Sequence, residues 1–127
     1  MFEIAIKHAF TASHALTSNG KAIEEPHEHR FECEARLESD GVSASGMAID
    51  FRSVDEAISR VIAPLRDANL HEAPMLEGSS PSAENLAQFI YSRLTQELGE
   101  CNSKVTRVAV WEDPDHCATY YENSPPL

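Results

Sequence analysis

Two histidines, His27 and His29, stand two residues apart in the stretch "EEPHEHRFECEARL", just after two carboxylates, Glu24 and Glu25. Side chains alternate along an extended chain, so these imidazoles fall on one face, about 7 Å apart. Neutral imidazoles suit Zn²⁺, and a catalytic zinc takes three protein ligands and keeps a fourth position open. His14 is the natural third ligand. It ends an alternation that starts at Phe2, and the end of one strand lies beside the start of the next if the two pair as a hairpin. A carboxylate beside such a metal works as a general base when desolvation raises its pKa. A His-x-His pair alone is weak, since ordinary partly buried histidines give the same pattern. The third histidine and the acidic approach add weight to the metal reading.

The elements that must position these residues are legible as periods. Phe2, Ile4, Ile6, His8 and Phe10 alternate with Glu3, Ala5 and Lys7, and the phase continues through Ala12 to His14. A second strand is predicted from His27 to Leu37. Its odd positions carry His27, His29, Phe31, Cys33, Ala35 and Leu37, and its even positions an almost wholly charged row. That implies an antiparallel sheet with one wet face, the row facing water or basic partners. Asp50 is placed to cap a helix, with Asp55 and Glu56 near its positive end. Val54, Ile58, Val61, Ile62 and Leu65 repeat at helical spacing, and Pro64 stops the helix near 63. Residues 66–79 read as connection. "SPSAENLAQFIYSRL" opens a second helix with Ser-Pro, buries Leu86, Phe89, Ile90 and Leu94, and ends at Gly99. Strands follow at 104–112 and 116–122, joined by the tight loop "EDPDH". The order ββααββ predicts an α+β domain, a four-stranded antiparallel sheet with two helices on one face.

Bulk composition narrows the function. A chain of 127 residues suffices for a single domain, 1–127, around one core. Its net charge of −11, from 21 acidic and 10 basic side chains, argues against nucleic acid or an anionic membrane as partner. Cys33, Cys101 and Cys117 form neither a disulfide framework nor a thiolate zinc site. Free thiols and the polar "MFEIAIKHAF" start lead to the expectation of a soluble, cytoplasmic protein.

Further motifs fall into an ordered series: "FTASH" (10–14), "HEH" (27–29), "GMAIDF" (46–51), "NL" (69–70), "PSAENLAQFI" (81–90) and "VAVWE" (108–112). With them the chain resembles the 6-pyruvoyl-tetrahydropterin synthase family, which includes 6-carboxy-tetrahydropterin synthase, over nearly its whole length. The resemblance implies the tunnelling fold, in which the sheets of several subunits join into an oligomeric barrel. It also implies a homo-oligomer, trimer or hexamer, acting on a small pterin. By match, His14, His27 and His29 are its zinc ligands, and Glu112 anchors the pterin. A carboxylate accepting two N–H bonds from the 2-amino-pyrimidinone ring suits that role.

Two departures qualify the resemblance. Synthases of the family place a cysteine four residues before the first histidine of the pair, and here that position is Ile23, which cannot take a proton. The family's Asp–His relay falls in "LRDANLH" (65–71), where Arg66 replaces the aspartate, Asp67 replaces the histidine and His71 replaces an asparagine. Asp67 and His71 are thus candidates for a rearranged relay. A branch of the family has Glu-x-x-His-Gly-His in place of the cysteine, and Glu24 stands at that spacing. Members of that branch cleave the side chain of dihydroneopterin triphosphate to 6-hydroxymethyl-dihydropterin. The leading expectation is therefore a zinc-dependent lyase with Glu24 as base and Asp67 and His71 in support. The alternatives are a 6-pyruvoyl- or 6-carboxy-tetrahydropterin synthase with rearranged acid–base residues, and a zinc- and pterin-binding oligomer without turnover. Lys7, Lys21, Arg30 and Arg66 are the basic candidates for phosphate contacts in the first half.

Overall fold

The computed structural model describes residues 1–14, 17–18, 21–22, 25, 27–42, 46, 48–76, 80–99 and 103–123. Strand β1 (Phe2–His14) is followed by two short strands, β2 (Thr17–Ser18) and β3 (Lys21–Ala22), which pair with each other. Strand β4 (His27–Ser39), helix α1 (Phe51–Ile62), helix α2 (Ala83–Leu98), β5 (Ser103–Asp113) and β6 (His116–Tyr120) complete the order. The main sheet runs β1-β4-β5-β6, antiparallel throughout. The predicted α+β architecture is therefore present, with the minor β2–β3 ribbon added. The last strand ends at Tyr120, two residues short of the expected 122.

The alternation of β4 works as its period requires. Phe31, Cys33, Ala35 and Leu37 are buried on one face, with Phe10 and Ala12 of β1 and Val105, Val108 and Val110 of β5. Both helices cover this face. Helix α1 contributes Val54, Ala57, Ile58, Val61 and Ile62, and α2 contributes Ala83, Leu86, Ala87, Ile90, Tyr91 and Leu94. Phe89, expected in the buried stripe, is only partly buried, whereas Tyr91 is buried and packs edge-on against Tyr120, with ring centroids 5.0 Å apart. Each large apolar side chain taken out of water in this way contributes about 1.5–3 kcal/mol.

The charged row on the other face pairs off within the chain. Glu32 holds Arg30 at 2.6 Å and Lys7 at 3.5 Å. Arg36 holds Glu3 at 2.6 Å and Glu34 at 2.8 Å, and Arg107 approaches Glu3 at 3.7 Å. The row is therefore a ladder of opposite charges across β1, β4 and β5 and not a repulsive stripe. A cleft of about 480 Å³ opens on this face between Lys7, Arg30, Glu32, Trp111, Asp113 and Pro114. The Trp111 Nε1–H is buried there without an acceptor among the described residues.

The helix ends show which local signals were read correctly. Asp50 caps α1 by accepting from the Arg52 amide at 3.0 Å. Asp55, expected near the positive end, lies past the first turn and accepts from His8 Nε2 at 2.9 Å, which ties α1 to β1. Pro64 ends α1 by tightening the chain into a 3₁₀ turn, Ala63–Leu65. Helix α2 is capped by Ser82, not by the Ser-Pro before it, and closes at Gly99, whose φ of 57° suits a residue without a Cβ.

The largest correction falls on residues 66–79. The described part, up to Leu76, is not a bare connection. Two 3₁₀ turns, Leu70–Glu72 and Pro74–Leu76, bury Leu70, Ala73 and Leu76 in the core. Before them the chain runs along the end of β1: the Asp67 amide donates to the Thr11 carbonyl at 2.6 Å, and the Ser13 amide to the Ala68 carbonyl at 2.9 Å. No helix of the described residues is long and apolar enough to cross a membrane.

Candidate metal centre

Register decides whether three histidines on two strands meet. In the β1–β4 ladder His14 is the direct partner of His27, and Ala12 that of His29. The three rings gather at the end of this hairpin where residues 15–26 connect its strands, with centroids 4.8 Å apart for His14–His29, 5.5 Å for His14–His27 and 4.4 Å for His27–His29. One ring nitrogen from each lies within 4.8 Å of the others. Phe31 floors the cluster, its ring 5.3 Å from His14 and 5.9 Å from His29. It stacks in turn on Phe10 at 5.4 Å. The apolar core thus ends directly beneath the imidazoles.

Two backbone carbonyls set the rings' orientation. His14 Nδ1 lies 3.1 Å from the Pro81 carbonyl, and His27 Nδ1 3.4 Å from the Glu25 carbonyl. A carbonyl only accepts, so each Nδ1 carries the proton and each Nε2 keeps its lone pair. Backbone partners of this kind commonly hold metal-ligating histidines. Pro81 can serve because it precedes the Ser82 cap: the first helical bond runs from the Leu86 amide to the Ser82 carbonyl, leaving the Pro81 carbonyl outside the ladder. Burial holds the His29 pKa below its ordinary value, and its two neighbouring histidines push the same way. A neutral imidazole is the form that ligates. The donor set therefore fits a borderline divalent metal ion such as zinc.

The remaining predicted site residues divide. Glu112 follows Trp111, the last β5 residue paired with β4, and alternation from Val108 and Val110 carries it onto the histidine face. It is half-buried, and its charge acts on His29. Asp67 has a φ of 56° and lines a cleft at the β1 edge with Ala9, Phe10, Thr11, Arg30 and Arg66. His71 is exposed on a turn whose cap, Asn69, bridges to Ser13, the neighbour of His14. The structure thus brings the 67–71 segment to the metal end of β1 without placing Asp67 in the cluster. Glu24 and Ile23 lie outside the described residues, as do Cys101 and the side chain of Lys21. Lys7 and Arg30 are held by Glu32, and Arg66 donates to the Ala9 carbonyl at 3.3 Å. Cys33 is buried and its thiol is pushed up to about 11, so it cannot stand in for the missing cysteine.

Sequence reasoning passed over one pair. His116 Nδ1 lies 2.8 and 3.1 Å from the two carboxylate oxygens of Asp113, across the two-residue turn between β5 and β6. "EDPDH" reads first as a turn, and that reading hid the interaction.

Comparison with known proteins bears on the family and the fold. The sequence profile of the family described as 6-pyruvoyl tetrahydropterin synthase matches residues 3–123. No protein of curated function matches the chain significantly in sequence. Among solved structures, 6-pyruvoyl tetrahydropterin synthase from Caenorhabditis elegans superposes with a TM-score of 0.84 at 18% identity, covering 96% of each chain. The Plasmodium vivax protein of the same name superposes with a TM-score of 0.77 at 20% identity, covering 97% of this chain and 98% of that one. A variant of the Plasmodium vivax protein, glutamate to alanine and described as a catalytic residue mutant, gives 0.77 at 19% identity with the same coverage. Identities this low establish the shared fold and leave the chemistry to the residues.

Proposed function

Because the chain belongs to the 6-pyruvoyl tetrahydropterin synthase family, we propose that it is a zinc-dependent enzyme acting on the side chain of a dihydropterin. Within that class, a synthase with rearranged acid–base residues is the leading reading. The observation that carries it is the juxtaposition of three imidazoles gathered on one another with Glu112 on the same sheet face. Zinc, when bound, supplies Lewis acidity toward the oxygens of the pterin side chain. The chain's own residues do the rest. Glu112 accepts the ring N–H groups and fixes the ring's position, and His14, His27 and His29 hold the metal at one end of it. Phe31 excludes water from below.

The second reading is the glutamate-type lyase giving 6-hydroxymethyl-dihydropterin, with Glu24 as base. It is favoured by the Plasmodium vivax relative, whose described catalytic residue is a glutamate. The readings differ in the product formed from the side chain. Metal-loaded protein incubated with dihydroneopterin triphosphate separates them: 6-pyruvoyl- or 6-carboxy-tetrahydropterin supports the first and 6-hydroxymethyl-dihydropterin the second. An untouched substrate overturns both and leaves a binding protein.

E112Q tests the anchor. Loss of a charged hydrogen bond costs about 1.5–3 kcal/mol, or roughly one to two decades in affinity. Calorimetric titration with a pterin should show that weakening, and unchanged affinity would remove Glu112 from the role. The assembly proposal, a trimer or hexamer, draws on the open edges of β1 and β6, which a closed barrel would pair. Sedimentation at micromolar concentration should give at least three chains, and a stable monomer would refute it.

A further inference from the structure

Resting on the pterin reading, we propose that His116, positioned by Asp113, is the acid that protonates the bound dihydropterin, taking over from the relay missing at 65–71. The need is chemical. When a side-chain bond breaks and its electron pair enters the pterin ring, the ring system must gain a proton. The expected donors stand apart from the imidazole cluster: Asp67 lines a separate cleft at the β1 edge, and His71 is exposed on the turn Leu70–Glu72.

The β5–β6 turn supplies a preorganised pair at the right end of the molecule. The Asp115 amide donates to Asp113 Oδ1 at 2.8 Å and so locks the carboxylate in the turn. Both carboxylate oxygens lie within hydrogen-bond distance of His116 Nδ1, so Nδ1–H donates to Asp113 and Nε2 is left to exchange a proton. Glu112 is the residue immediately before Asp113, at a bulge where the β5–β6 register shifts. Its charge acts on both His29 and His116. A ring anchored at Glu112 is therefore held at the same end of the sheet as both the metal cluster and this dyad.

The charged groups around His116 are Asp113, Asp115 and Glu112, all acidic. They raise its pKa above the ordinary value, Asp113 most of all, so the imidazolium is available near neutral pH. In the step, the Nε2–H bond breaks and its electron pair stays on nitrogen. A new bond to hydrogen forms on the pterin, and the neutral imidazole regains a proton from water. Asp113 touches no substrate atom. It orients the ring and stabilises its cationic form, as carboxylates do for catalytic histidines elsewhere.

The test uses the metal-loaded full-length protein with dihydroneopterin triphosphate. H116Q should lower kcat by about a hundredfold or more, the usual share of acid–base catalysis, with metal content and pterin affinity unchanged. D113N should lower the imidazole pKa, read by NMR titration of His116, and move the basic limb of the kcat profile to lower pH by the same amount. H116Q should abolish that limb. An active wild type whose kcat and pH profile survive H116Q overturns the assignment of His116 while leaving the pterin reading intact. A wild type that converts no dihydropterin overturns the reading, and the acid role with it. Both residues are exposed, and circular dichroism should show an unchanged fold in each variant.

Discussion

H27A is expected to empty the metal site while the fold persists. Wild type should carry about one zinc per chain by elemental analysis. A two-histidine remnant forfeits the third ligand that a catalytic zinc site needs, and turnover should vanish with the metal. The fold survives because His27 is exposed and its strand is held by backbone pairs to β1 that need no side chain. H14A should empty the site too, but at a cost in stability: it removes a buried ring and leaves the Pro81 carbonyl without its donor, worth about 1–3 kcal/mol. The contrast between the two melting curves is part of the prediction. Acidification should release the metal as the imidazoles protonate. Because His29's pKa is lowered in the fold, it resists protonation to a lower pH than a free imidazole would. A fully loaded H27A protein would sink the ligand assignment.

Substitution of Glu24 is expected to have the second largest effect. Once the metal and Glu112 hold a pterin, something must accept a side-chain proton. Ile23 cannot, and the buried Cys33 thiol is out of range of neutral pH. General-base catalysis typically contributes 10²–10⁴ in rate. E24Q should therefore lose about a hundredfold or more in turnover while keeping its zinc and its affinity for pterin. E25Q should lose little. Strand alternation would put Glu25 on the side of His27, but its part in the fold is played by its backbone carbonyl, and its side chain is exposed. Equal and small effects of both substitutions would leave the protein without a carboxylate base, and proton abstraction would have to be sought elsewhere.

The sequence by itself determined whatever has a short period. Side chains repeat every two residues in a strand and about every 3.6 in a helix. The alternation of β4 therefore announced both its buried face and the common side of His27 and His29, and the stripe on α1 was equally plain. His14 could be named because an antiparallel hairpin sets the end of its first strand beside the start of its second, and the ladder pairs it with His27 directly. Tertiary structure decided what depends on partners distant in the chain or on irregular backbone. The Pro81 carbonyl that orients His14 is 67 residues away, and nothing local marks it as an acceptor. The charged row on β4 became a ladder of ion pairs only through Glu3 and Lys7 on β1 and Arg107 on β5. Leu70, Ala73 and Leu76 are buried from 3₁₀ turns too short to show a repeat, so their segment read as connection. Asp113 and His116 looked like turn formers, because a tight turn and an Asp–His pair ask for the same residues. Their pairing, and its place beside Glu112, follows from a bulge in register that only the folded sheet reveals.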